Sequence, residues 1–262
     1  MKLIRRARDS VKRFEVLLYF LTAILGLFLA AGAIFRAAKY PSESVWLPGK
    51  PLFWGLVVSA VWVPIYALYK AIDAHLETRD RVQSGAERDL AIACQKVVSE
   101  VADACGNVGV NDLHTAVWLC CDDGSFKELA RFYLPHDLKA SGVVWRKGKG
   151  VAGIAWEADS DLDSDLTVLL AQWASIGDEA FDALPASERL GLQSSDLAKT
   201  RGDTGVCAIP LRVEGTLIAM FVLVYAGADG FDCVRREVGR RGISNILAGC
   251  EGVLKQADGA LR

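Results

Sequence analysis

The sequence is short of the residue sets that most chemistry needs. It has three histidines, His75, His114 and His136, and they are scattered. It has no C-x-x-C pair, which argues against a zinc ribbon or a thioredoxin-like site. No Ser-His-Asp set, paired-carboxylate site or Walker loop can be identified, so no catalytic machinery is expected. His136, in "YLPHDL", could ligate haem or a metal, although a loop histidine is more often polar surface. The formal net charge of -2 gives no reason to expect nucleic acid as a partner. The seven cysteines are odd in number and irregularly spaced, and they sit in apolar runs. They read as small buried hydrophobes, a pattern that suits a reducing compartment.

Charge is also missing from one long stretch. Residues 16 to 35, "VLLYFLTAILGLFLAAGAIF", form an uncharged apolar run of about 20 residues, the length that crosses a bilayer core. A second run, "LFWGLVVSAVWVPIYALY" at 52 to 69, is also uncharged. Trp46, Trp54, Tyr66 and Tyr69 lie near its ends, where amphipathic rings favour the interface. Pro64 lies within it, and Gly85 is expected to interrupt the link to the downstream domain. The first run is too long for a signal-peptide core and is succeeded by another, so both read as spans. The N-terminal flank carries Lys2, Arg5, Arg6, Arg8, Lys12 and Arg13. The positive-inside rule therefore puts both ends in the cytoplasm of an inner-membrane, multi-pass protein.

After Lys70 the chain turns polar. Leu90, Cys94, Val97, Val101 and Cys105 recur at helical spacing and predict a helix with one apolar stripe. It is either a helix that carries movement between membrane and domain or a spacer packed on its own domain. "TAVWLCC", a turn at "DDGS" and "KELARFYL" predict a β-hairpin. "GVVWRK" reads as a third strand, "VAGIAWEA" as a short helix, and "DSDLDSDL" as a solvated loop and helix cap. "TVLLAQWASIGDEAFDAL" reads as a helix, and "GVCAIPLRVEGTLIAMFVLVYA" as a second hairpin turning at "VEGT". "FDCVRREVGRRGISNILAGCEGVLKQA" closes the chain as a terminal helix weakened by glycines. This order predicts an α+β fold with an antiparallel sheet flanked by helices, preceded by a two-helix transmembrane hairpin.

"RKGKGVAGIAWE" contains G-x-G-x-x-G, with glycines at 148, 150 and 153. The dinucleotide reading needs a strand, a long helix and a second parallel strand, and that order is absent here. Instead, "VWLCCDDGSFKELARFYL", "GKGVAGIAWE" and "GVCAIPLRVEGTLIAMFVLV" together resemble a GAF domain, a small-ligand sensor fold, over about residues 86 to 256. The resemblance implies a pocket lined by Phe132, Trp145, Gly148, Gly150, Val151, Trp156 and Cys207. It also implies a glycine turn whose free N–H groups, reinforced by Lys147 and Lys149, favour a nucleotide-like or anionic ligand. Free methionine-sulfoxide reductases have a similar turn with a reactive cysteine where this sequence has Ala152, so that activity is not expected.

The resulting organisation is a basic cytoplasmic N-terminus at 1–13, transmembrane helices at 14–36 and 52–70, and an external loop at 37–51. A helical linker at 71–89 runs into the GAF-like domain at 86–256. The expected function is a membrane-anchored cytoplasmic small-ligand sensor that relays a signal to a partner or to its own spans. Its expected partners are the membrane, a small molecule and further copies of itself, as a homodimer or higher oligomer. Two alternatives stay open: a ligand-gated two-span membrane effector, as in bacterial antiphage defence, and a dimerising scaffold with a vestigial pocket. No cofactor can be assigned.

Overall fold

The computed structural model describes residues 15–37, 51–133, 143–200, 202–227 and 229–261. The chain divides into two compact units, Met1–Arg81 and Val82–Arg262. In the first unit, helix α1 (Glu15–Ala37) and the opening part of helix α2 (Pro51–Cys105) carry the two apolar runs. Much of their apolar surface faces outward: Phe20, Leu27 and Ile34 on α1, and Trp54, Val61 and Leu68 on α2, are exposed. Water disfavours such a surface. The two helices touch. Trp62 Nε1–H donates to Thr22 Oγ1 at 3.0 Å, and the Tyr19 and Tyr66 rings meet edge to face with centroids 6.0 Å apart. Among the described helices, α2 is the one long and apolar enough to cross a membrane, and the apolar stretch of α1, Tyr19–Ile34, is shorter. The basic N-terminus and the loop between the runs lie outside the described residues.

α2 runs as one helix through both Pro64 and Gly85. The interruption expected at Gly85 is absent. One interior glycine costs a helix only about 1 kcal/mol, which the flanking turns absorb.

The second unit is built on a five-stranded antiparallel sheet in the order β2-β1-β5-β4-β3. The strands are β1 (Leu113–Cys120), β2 (Phe126–Phe132), β3 (Leu162–Asp165), β4 (Gly205–Val213) and β5 (Thr216–Tyr225). Helices cover both faces, as the α+β expectation requires. On one face lie the last turns of α2 with α7 (Phe231–Val238) and α8 (Arg241–Leu261). On the other lie α3 (Gly150–Ala158), α4 (Thr167–Ile176), α5 (Asp178–Asp182) and α6 (Ser194–Lys199). The expected α2 stripe packs on the sheet: Leu90, Cys94, Val97 and Val101 are fully buried. They meet Leu113, Val117, Phe221 and Leu223 of the sheet and Leu247, Cys250 and Leu254 of α8 in one apolar core. Thr115 is the polar intrusion, and its hydroxyl donates to the Cys94 carbonyl at 3.3 Å.

Both hairpins form where their turns predict them. Gly124 closes the first at φ 77°, and Glu214 and Gly215 close the second with both φ values positive. Four local expectations are corrected. "GVVWRK" is not a strand. It touches the sheet through a single bridge, Arg146 to Ser125, because the Lys147 N–H goes to the Gly124 carbonyl in the β1–β2 turn. The acidic stretch is not a loop throughout, since Leu162–Asp165 forms edge strand β3 on β4. Its charges find partners: Arg235 meets Asp163 at 2.7 Å, and Asp165 accepts the Thr167 N–H at the start of α4. The helix after it breaks at Gly177 into α4 and α5, and the terminal helix breaks after Val238 into α7 and α8. Cys105, at the end of α2, and Cys233, in α7, form a disulfide with Cα atoms 5.8 Å apart. That bond joins residues 128 positions apart, beyond the reach of local spacing.

Candidate functional site

Antiparallel register turns the α3-side face of the sheet into rows of side chains. Alternation along β1 puts His114, Ala116, Trp118 and Cys120 on this face, while Leu113, Thr115, Val117 and Leu119 face α2. Across β1, β5 and β4 the rows read His114–Val224–Val206, then Ala116–Val222–Ala208, then Trp118–Met220–Pro210. The middle row is made of small residues. The small side chains let α3 pack closely: Val222 and Ala208 are buried against Val151, Ala152 and Ala155, and Ala116, on the β1 side, stays half-buried.

One end of this face is aromatic. The Trp118 and Trp145 rings stack with centroids 6.0 Å apart, Trp118 meets Phe126 at 5.4 Å, and Phe126 meets Trp156 at 4.9 Å. All four rings are half-buried, so each keeps some surface for a ligand. The Lys147 ammonium lies 6.0 Å from the Trp156 ring centre, within cation–π range.

The other end is polar. The His114 ring lies 5.0 Å from the Tyr133 ring, where β2 has just ended. Asp203 stands two residues before β4, in a segment held by Thr204: its N–H donates to the Tyr225 carbonyl at 2.7 Å and its hydroxyl to the Gly227 carbonyl at 2.6 Å. Desolvation pushes the Asp203 carboxyl up to about 6. It also lowers His114, against the pull of the nearby Asp112 charge, so the imidazole favours its neutral form. The Asp203 carboxylate in turn raises Tyr133, although burial is the larger cause there.

The glycine turn supports the aromatic end by packing. Gly150 has φ 69°, and a Cβ there would come within 2.6 Å of the Trp145 ring. A Cβ on Gly153 would collide with the Arg146 carbonyl oxygen. These two glycines let α3 start directly beneath the tryptophan. The turn does not present free N–H groups at 147 to 150. Lys147 donates to Gly124, Gly148 to Gly153, Lys149 to Arg146 and Gly150 to Leu190, all within the protein. The Lys149 ammonium is also committed, to the buried Asp196 carboxylate at 2.8 Å. Burial alone would raise Asp196, but hydrogen bonds from Lys149 and the Gln193 N–H outweigh it and hold the carboxyl below its usual range. The N–H groups of 147 to 150 are therefore spent within the protein; those of Val151 and Ala152, in the first turn of α3, are not among the groups so used.

The sequence-predicted site residues divide between the faces. Trp145, Val151 and Trp156 belong to the α3-side cluster, with Gly148 and Gly150 in the turn that leads to it. Phe132 and Cys207 pack on the opposite, α2-side core. Phe132 is turned there by a β-bulge. Val117 pairs with Ala130 and Trp118 with Glu128, so Leu129 is the extra residue and the alternation of β2 inverts beyond it. His136 lies outside the described residues. Trp118, His114, Tyr133 and Asp203 carry no motif that marks them in the sequence. The period-two pattern of "LHTAVWLC" is the signal that could expose the first two.

Two thiols stand near this sheet region, Cys120 on the α3-side face and Cys207 on the other. Burial pushes both up to about 12, so neither is a ready thiolate. A separate cavity of about 420 Å³ lies on the α2 side, lined by Glu100, Asp103, Glu237 and Arg240 among others. There the buried Glu237 is already paired with Arg240 at 2.9 Å.

No family model matches the chain, and no curated protein matches it. Solved structures similar to it are GAF domains and a GAF-like enzyme. One is the GAF domain region of a protein from Geobacter sulfurreducens PCA, at 13% identity and TM-score 0.41, covering 68% of this chain and 96% of that one. Another is the GAF domain of an Acinetobacter phosphoenolpyruvate-protein phosphotransferase, at 14% identity and TM-score 0.39, covering 71% and 95%. A third is the type II free methionine-R-sulfoxide reductase of Thermoplasma acidophilum, at 13% identity and TM-score 0.38, covering 65% and 94%.

Proposed function

We propose that this chain is a membrane-anchored, cytoplasmic sensor of the GAF type, which binds a small ligand on the α3-side sheet face and performs no chemistry on it. The observation that carries the reading is the half-covered β1 side of this face, where Ala116 lies between the half-buried aromatic rings at Trp118 and the polar His114–Tyr133 end. Ligand sites combine an apolar body with a few placed polar groups in this way. The absence of catalysis is supported by thiols held protonated at Cys120 and Cys207. The anchor rests on the outward apolar side chains of α1 and α2. In this reading both helices span the inner membrane, both chain ends are cytoplasmic, and further copies of the chain pair with it. A relay is supported by α2, which holds both an apolar run and, from Leu90 to Val101, the stripe that packs on the sheet. Ligand-induced ordering of the sheet would reach that stripe through Val117 and Phe221.

The test is a thermal-shift screen of the full chain in detergent against nucleotides and metabolites, then dye leakage from liposomes carrying it. Stabilisation by at least one ligand, with liposomes that stay tight, supports the sensor. Ligand-dependent leakage moves the reading to a membrane effector. No stabilisation by any compound leaves the dimerising scaffold.

A further inference from the structure

We propose that the His114–Tyr133–Asp203 end of the site recognises a protonated amine, so that the ligand is an organic cation with an apolar or aromatic body. This rests on the sensor reading above and assigns the ligand's chemical class.

Three features converge on one end of one sheet face. First, His114 Nδ1 is buried with no hydrogen-bond partner. A buried polar atom without a partner is costly, and a bound donor would relieve that cost. Second, Asp203 is half-buried and makes no ion pair and no side-chain hydrogen bond among the described residues. Burying a carboxylate without a counter-charge is costly, and a cation is the group that offsets it. Third, among the described residues the charges that act on this end are mainly acidic. Asp112 acts on His114 and Asp203 acts on Tyr133, while Arg131 is occupied over the face of the Tyr133 ring at 5.8 Å. An anionic headgroup would meet two carboxylates here, whereas an ammonium would meet acceptors.

The ligand's length is set by the register. His114 and Trp118 are four residues apart on one strand, a backbone separation of about 13 Å. Both side chains take up part of that span. A chain of roughly four carbons between an aromatic ring and an ammonium fills the remainder.

The test uses a matched series on the full chain in nonionic detergent: 4-phenylbutylamine, 4-phenylbutanol and 4-phenylbutyrate, each measured by ligand-observed saturation-transfer NMR and titration. The amine is expected to bind at least about tenfold tighter than the alcohol, with the carboxylate weakest. Asp203→Asn should remove that advantage, so that the amine binds no tighter than the alcohol, and a melting temperature no lower than that of wild type shows that the variant folds. His114→Phe should weaken the amine less than Asp203→Asn does. Equal or tighter binding of the carboxylate overturns the charge assignment but leaves the sensor reading standing. Amine binding that survives Asp203→Asn unchanged overturns it as well. Binding of none of the three also contradicts it, and the wider metabolite screen then decides the sensor reading on its own.

Discussion

The two faces of the sheet are built from the same alternating strands and do different work. The α2-side face is closed. Its core residues, Leu90, Val97, Val101, Leu113, Phe221, Leu223 and Leu254, have no exposed surface, and its buried polar groups are paired: Thr115 is hydrogen-bonded to Cys94 and Glu237 meets Arg240. The α3-side face is uneven. It buries Met220 and Val222 under α3 but leaves His114, Ala116, Trp118, Val206 and Val224 half-covered. Among the described residues it also holds a histidine nitrogen without a partner and a half-buried carboxyl that desolvation pushes up to about 6. A closed face supplies stability. In the sensor reading, an open face with unmet polar groups is where stability is given up for binding.

The largest expected effect lies on the closed face. Phe221→Ala removes a fully buried ring from the centre of the core and should cost about 3–5 kcal/mol in denaturant unfolding monitored by tryptophan fluorescence. Ligand-binding residues are untouched, so the folded fraction should bind as before. On the open face, Gly150→Ala is both strained at positive φ and in collision with Trp145. It should cost roughly 1–3 kcal/mol and, by displacing Trp145, weaken ligand binding as well. The joint loss of stability and binding separates it from Phe221→Ala.

Asp203→Asn should act in the opposite direction. Because the folded state raises this carboxyl from 3.8 to about 6, its protonated form favours folding, and that contribution fades as pH rises through about 6. The variant should therefore match wild type near pH 4 and exceed it at pH 7.5, by roughly 1–2 kcal/mol. Parallel unfolding curves at the two pH values check this. A gap that does not change with pH would mean that Asp203 is not desolvated in the folded chain.

The parts of this arrangement that are legible in sequence are local ones. "DDGS" and "VEGT" carry the turn chemistry of their hairpins, and the Leu90-to-Cys105 stripe marks the buried face of α2 through its spacing alone. The glycine segment can be freed from the dinucleotide reading because strand order is visible in sequence. Its N–H partners cannot be seen there, since Leu190 and Gly124 come from distant turns. Phe132 falls on the unexpected face because a bulge that inverts a strand leaves no mark in the residues themselves. Cys207 shares its parity with Leu211 and Ile209, and only pairing with β5 decides which face that parity meets. Asp203 is invisible for a further reason: its burial is a property of packing across the sheet end and not of its neighbours in the chain.

The division of labour between the faces is tested most directly at Ala116, in the middle row of the open one. Ala116→Trp fills the space between the aromatic and polar ends. Thermal unfolding of the full chain, with and without the ligands that stabilise wild type, is the measurement. The account predicts a melting temperature near that of wild type and loss of every ligand-induced shift. Ligand shifts that persist in Ala116→Trp, or a collapse in stability like that of Phe221→Ala, would contradict it.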